Sequence, residues 1–185
     1  MTRYVGQCCI SEQHMILDIL QYPDTRLTQR AVELTELTDE IRTLVNDMAE
    51  TMYAARGVGL AAPQVGRAIR LIMVDASGPD ERKDLRVFIN PRLTVLDPTP
   101  VEDEEGCLSV PFNYRAPVNR VAKVAVDALD MDWHLVHVEA EGLMAVCLQH
   151  ENDHLEGKVF LDHISRLKRT LFDTRIKKWL RCKSS

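Results

Sequence analysis

His150-Glu151-Asn152-Asp153-His154 sets two imidazoles four residues apart with a carboxylate between them. On a helix such residues share a face, so both rings can close on one metal ion. Glu151 is adjacent, where a carboxylate can work on a metal-activated water without itself being a ligand. Leu143, Val146, Cys147, His150 and His154 fall at helical spacing on a single face. That stripe is apolar until it ends in histidines, which predicts that the rings point inward. Buried rings need partners, and a metal satisfies both. A pair of ordinary core histidines would show the same spacing.

A catalytic metal site usually keeps three protein ligands and one open position. His134 and His137 fall on opposite faces of a predicted strand, and His163 lies beyond the helix, so all three are poor candidates. Cys107 is better placed, in Glu104-Glu105-Gly106-Cys107-Leu108-Ser109, where the glycine lets backbone approach closely. Its thiolate would add charge and softness, although a small buried hydrophobe is the commoner fate of a lone cysteine. Ligand chemistry alone, two imidazoles and a thiolate, suits zinc.

These groups need elements to position them. Ile41, Leu44, Val45, Met48, Ala49 and Met52 keep helical spacing, with Thr38 as N-cap and Asp39 and Glu40 at the positive end of the dipole. That helix stops before Gly57-Val58-Gly59. Short β-rich runs follow at Arg70–Val74, Arg86–Asn90, Val121–Val126 and Leu135–Val138, punctuated by Pro79, Pro91, Pro98, Pro100 and Pro111. The histidine helix is predicted from about Leu143 to Glu156, with Gly157 as its stop. A final helix over about 166–180 sets Leu167, Leu171, Phe172, Ile176, Trp179 and Leu180 against basic residues, and is expected to keep Leu167, Leu171 and Ile176 for the body. Strands between helices without βαβ alternation predict an α+β fold with mainly antiparallel pairing.

At 185 residues, with 45% hydrophobic and 28% charged residues, the chain can bury its own core. We expect one domain over 15–185, preceded by an extension, Met1–His14, that lacks the apolar centre of a secretory signal. No apolar run approaches the roughly 20 residues needed to cross a bilayer. Five cysteines without a regular framework point to free thiols and a cytoplasmic location, and adjacent Cys8-Cys9 read as bland. The net charge of −5 conceals +7 from Ser165 to Ser185 and −12 elsewhere. A basic end on an acidic body suggests a docking tail for a polyanion, or a solvated helix face that balances the body.

Three segments then come together. Gly57-Val58-Gly59-Leu60-Ala61-Ala62-Pro63-Gln64, Glu105-Gly106-Cys107-Leu108-Ser109 and Gln149-His150-Glu151-Asn152-Asp153-His154-Leu155 resemble, in order and spacing, the three signature motifs of the peptide deformylases. Tyr22-Pro23-Asp24 and Asn90-Pro91 are similar to that family as well, and the resemblance runs from Met15 to about Leu180. It implies antiparallel β-structure packed around the central metal-motif helix, with a long C-terminal helix. It implies removal of formyl from the N-terminal formyl-methionine of new polypeptides. Cys107, His150 and His154 would hold one divalent metal ion, typically Fe2+, with Zn2+, Ni2+ or Co2+ also accommodated. Glu151 would be the acid/base, and Gln64 and the Leu108 N–H would bind the formyl oxygen. Val58, Gly59, Leu143, Val146 and Arg115 match substrate-binding positions. An enzyme acting on nascent chains could also dock on the ribosome through its basic C-terminal helix, with no membrane involved.

Asp153 is expected to hold a ligand or an arginine such as Arg120 in place. Three departures from the family pattern stand out: Arg56, where an acidic residue is frequent, Asn152, at a position usually apolar, and the longer stretch Phe112-Asn113-Tyr114-Arg115. His-Glu-x-x-His is also the signature of zinc peptidases, but their third ligand is histidine or glutamate, so Cys107 favours the deformylases. A metal-stabilised protein without catalysis would need neither Glu151 nor Gln64.

Overall fold

β2 (Leu71–Asp75) is buried along its whole length, and its alternation feeds two cores. Ile72 and Val74 join Phe88, Val126 and Leu148 on one face, while Leu71 and Met73 join Ile41, Met48 and Met52 on the other. The computed structural model describes residues 15–183, so Met1–His14 with Cys8 and Cys9 lie outside the described residues.

The sheet has five strands, β1 (Gly59–Ala61), β2, β3 (Leu85–Gly106), β4 (Arg115–Leu129) and β5 (Leu135–Glu141). They pair antiparallel in chain order, as an α+β reading requires. Helix α1 (Asp39–Ala54) covers one face of the sheet and α2 (Gly142–Leu155) the other. Thr38 caps α1 as expected, its hydroxyl accepting the Ile41 N–H at 3.3 Å. α2 carries the histidines and ends before Gly157, whose φ of 71° suits the left-handed stop.

Two strands are much longer than their apolar runs. β3 continues from Leu85 through Pro91, Pro98 and Pro100, and β4 extends well beyond Val121–Val126. Register shifts between Ile89 and Arg92, Val95 and Asp97, and Asp97 and Pro100 explain this. Proline lacks an N–H for the ladder, and bulges are where a strand tolerates that. β1 has no pattern of its own and becomes a strand through pairing with β2.

The C-terminal helix α3 (Arg166–Lys183) corrects one expectation. Leu167 and Leu171 do not face the body; they are 70% and 63% exposed. Phe172 and Ile176 are buried instead, packing with Leu27, Val110 and Phe160. Leu167 and Leu171 lie about half a helical turn from Ile176, so one helix cannot bury both stripes. Phe112, left-handed at φ 70°, meets Trp179 edge-on at 5.5 Å and sits beneath the Arg175 guanidinium at 4.2 Å. The longer loop after Cys107 thus supplies a side chain that anchors α3. Among the described residues, no helix is long and apolar enough to cross a membrane.

Candidate active site

α2 runs beneath the sheet because Ala145, Cys147, Leu148 and Leu155 fill the same core as Ile72, Val74 and Val126. Gln149 fixes its height: its amide accepts the Val121 N–H and donates to the Val121 carbonyl, both at 3.0 Å. His150, Glu151 and His154 are then buried at 8%, 5% and 1% exposure, facing inward as expected. Leu143, on the same stripe, is half exposed and lines the cleft instead of the core.

Cys107 follows the end of β3, where Gly106 pairs with Arg115 of β4. Its Sγ stands 3.2 Å from Nε2 of His154. One donor atom from each of Cys107, His150 and His154 lies within 4.8 Å of the others. Bonds of about 2.0–2.3 Å let one ion span such a set. Among the described residues, Nδ1 of His154 and Oε2 of Glu151 are buried side-chain atoms without a partner. Burial would raise the Cys107 thiol, but His154 and His150 outweigh it and hold its pKa at about 5. Burial works the other way on His150, yet Cys107 and Glu105 raise it well above the ordinary range. A site whose anions draw a proton this strongly fits a divalent cation. Burial dominates at Glu151, lifting its carboxyl to about 7 although both histidines oppose the rise.

Gln64 sits in the 3-10 turn Ala62–Val65, directly after β1. Its Oε1 accepts the Ala61 N–H at 2.8 Å, which turns Nε2 towards Ser109 Oγ at 3.1 Å and Cys107 Sγ at 3.5 Å. The Cys107 carbonyl accepts the Val110 N–H at 3.0 Å. A trans peptide points its N–H opposite its C=O, so the Leu108 N–H is directed out of that turn. Leu108 and Gln64 both line a cleft of about 540 Å³, and so do Val58, Gly59, Val146 and Arg115.

Behind Cys107, His150 and His154 lies a chain of ion pairs and hydrogen bonds. His150 Nδ1 meets Glu105 Oε2 at 2.8 Å, and Arg120 grips both oxygens of Glu105 at 2.6 and 3.0 Å. Arg120 also reaches Asp153 at 2.6 Å, as expected of Asp153. Burial would raise Glu105, but His150 and Arg120 hold it near 2. Asp153 is likewise held near 2, where burial is outweighed by His163 and Arg120. Glu105 and Gln149 were visible only as motif members, because their partners lie 45 and 28 residues away in sequence. Two of the three departures reach the cleft: Arg56, which pairs with Asp80 at 2.9 Å, and Asn113, Tyr114 and Arg115 of the longer stretch all line it, whereas Asn152 faces Arg70 at 3.5 Å.

An antiparallel sheet that presses a His-Glu-x-x-His helix against a glycine-flanked cysteine defines a metal-dependent hydrolase. Residues 16–170 match the model of the polypeptide deformylase family. The peptide deformylase of Psychrobacter cryohalolentis is 49% identical over 166 residues, covering 90% of this chain and 89% of its own length. That of Acinetobacter baumannii is 48% identical, over 90% of this chain and 93% of its own. The crystal structure of a peptide deformylase from Legionella pneumophila superposes with a TM-score of 0.83 at 43% identity, covering 91% of this chain and 98% of that one. A peptide deformylase from Synechococcus elongatus, solved in complex with actinonin, gives 0.80 at 36%, over 88% and 86%. The chain belongs to the polypeptide deformylase family, metal-dependent hydrolases that remove formyl from the N-terminal formyl-methionine of new polypeptides and release formate.

Proposed function

We propose that Cys107, His150 and His154 hold one divalent metal ion, with Glu151 as the group that moves protons during deformylation. The observation that carries this reading is the convergence of three ligand atoms beside a buried carboxylate oxygen with no other partner. Bound by these residues, the ion would supply Lewis acidity that lowers the pKa of a water and polarises the formyl group. Glu151 accepts the water's proton at Oε2 and later delivers it to the departing amine. Nε2 of Gln64 and the N–H of Leu108 donate to the formyl oxygen as charge develops there. Each such donor is worth about 10²–10³ in rate when well placed. Val58, Leu143 and Val146 form the apolar slot for the methionine side chain, and Gly59 and Arg115 flank the peptide.

The metal is Fe2+ by family resemblance, with Zn2+, Ni2+ and Co2+ accommodated by the same ligands. The work is done in the cytoplasm on nascent chains, and α3 docks on the ribosome. Arg166, Lys168, Arg175, Lys177 and Lys178 are exposed, which supports contact with RNA phosphates that weakens steeply with salt.

The test pairs formate release with metal analysis on anaerobically purified protein. Glu151→Gln should keep the metal and lose most activity, whereas Cys107→Ser should lose both. Full metal occupancy and normal turnover in Cys107→Ser would exclude Cys107 as a ligand. Lys168→Glu, Lys177→Glu and Lys178→Glu together, which leave the buried Ile176 and the half-buried Trp179 in place, should impair ribosome binding and leave hydrolysis of a short formyl-methionyl peptide nearly unchanged.

A further inference from the structure

His163 was set aside as a metal ligand, and the structure keeps it out of the ligand set. Its place is elsewhere. It follows the short 3-10 turn Phe160–Asp162, its backbone N–H donating to the Phe160 carbonyl at 3.0 Å. That turn swings the ring back over α2, where Nε2 meets Asp153 Oδ2 at 2.8 Å. An ionised carboxylate can only accept, so Nε2 carries the proton. The same oxygen, Oδ2, receives Nη1 of Arg120 at 2.6 Å. Beyond Arg120 the chain continues through Glu105 to Nδ1 of His150. Glu105 and Arg120 are 4% and 5% exposed at the side chain, Asp153 is 14% and His163 31%.

We propose that His163 is a positioning residue for the metal site, acting on His150 through Asp153, Arg120 and Glu105. This rests on the reading that His150 is a metal ligand. The physical argument concerns freedom of rotation. Asp153 has two donors converging on one oxygen from different elements, which pins the carboxylate about its terminal bond. With His163 gone, Oδ2 keeps Arg120 alone, and carboxylate and guanidinium can turn together. Arg120 holds Glu105 through two parallel contacts, so its tilt is transmitted to the oxygen that orients the His150 ring. A ligating imidazole is directed by the partner on its other nitrogen, and losing such a partner typically weakens metal binding about 10–100-fold. His163 stands further out along the same chain, so the lower end of that range applies.

Cobalt(II) is the probe, because its visible bands report ligand geometry. Metal-free protein is titrated with cobalt against a competing chelator for the unaltered chain, His163→Leu, His163→Gln and His150→Ala. His163→Leu should bind cobalt about 10-fold more weakly and shift the bands, with little change in the Tm of the metal-free protein. His163→Gln, whose Nε2 can replace the imidazole donor, should restore both affinity and spectrum. Unchanged affinity and bands in His163→Leu overturn the proposal, and so does a Gln variant that falls as far as Leu. His150→Ala separates the two ideas. If it binds cobalt normally, the ligand set is wrong and the proposal falls with it. If it loses cobalt while His163→Leu does not, only the positioning role is lost.

Discussion

Gly59 lies so close beneath Glu151 that a Cβ added there would stand 3.0 Å from both Cγ and Cδ of the glutamate. Real Cβ atoms rarely sit so near, and the same Cβ would press harder still on Oε1. The second glycine of the first motif therefore holds open the space that the Glu151 carboxyl occupies. Gly59→Ala should displace the Glu151 carboxyl while β1 continues to pair with β2. We expect formate release to fall by about 10² or more, the usual cost of moving a reacting group by an ångström. The measurement is kcat with metal content and Tm in parallel. Activity within a few-fold of normal would show that Glu151 has room to spare.

Glu105→Gln should damage both stability and metal binding. The carboxylate is the anion that faces the buried Arg120 guanidinium and the His150 ring together. Breaking a buried pair by removing one charge costs about 3–5 kcal/mol, because the other charge stays behind. Asp153 still faces Arg120, so the lower end is expected. Denaturant unfolding of the metal-free protein gives the stability loss, and chelator competition gives the affinity.

Gly157→Ala should destabilise the protein without touching the chemistry. The residue has a φ of 71°, and a Cβ there would meet the Thr28 carbonyl oxygen at 2.5 Å and its carbon at 2.8 Å. Both obstacles are backbone, so neither can swing aside. Left-handed strain alone costs of order 1–3 kcal/mol, and the clash adds to it. A fall in Tm with normal kcat in the surviving folded fraction is the expected pair of results.

Asp75, fully buried at the end of β2, carries a pH dependence that can be isolated. Its carboxylate accepts from Tyr53 Oη at 2.7 Å and from Ser77 N and Oγ at 2.9 and 2.6 Å. Burial would raise its pKa, but these bonds from Ser77 and Tyr53 win and lower it. A depressed carboxyl contributes stability that is complete above the unfolded value of about 3.9 and is lost as pH falls through the folded value. Asp75→Asn should therefore cost about 1.5–3 kcal/mol at pH 7, and the gap to the unaltered chain should narrow below pH 4. Urea unfolding at pH 7, 4 and 3 checks it. A gap that stays constant across that range would assign the loss to packing.

The helices were legible because their signals are local. Thr38 capping Ile41, the apolar spacing through Met52 and the stripe that ends at His154 need no knowledge of what lies opposite. The three motifs were legible for a related reason: a thiol and two imidazoles at ligand spacing, a carboxyl beside them and glycines at close approaches admit few substitutes. What the chain could not display was anything decided by a partner far away in sequence. β3 runs through three prolines because β4 accommodates its bulges, and β1 exists because β2 lies beside it. Leu167 and Phe172 are alike in hydrophobicity, yet only contact with Tyr114 and Phe160 decides which is buried. The chain from His150 to His163 joins β3, β4, α2 and the turn before α3. Polar side chains in a sequence are usually solvated, and only folding, by removing water, obliges these five to satisfy one another. Local spacing and motif determined which residues are candidates for the chemistry; tertiary packing decided which residues hold them still.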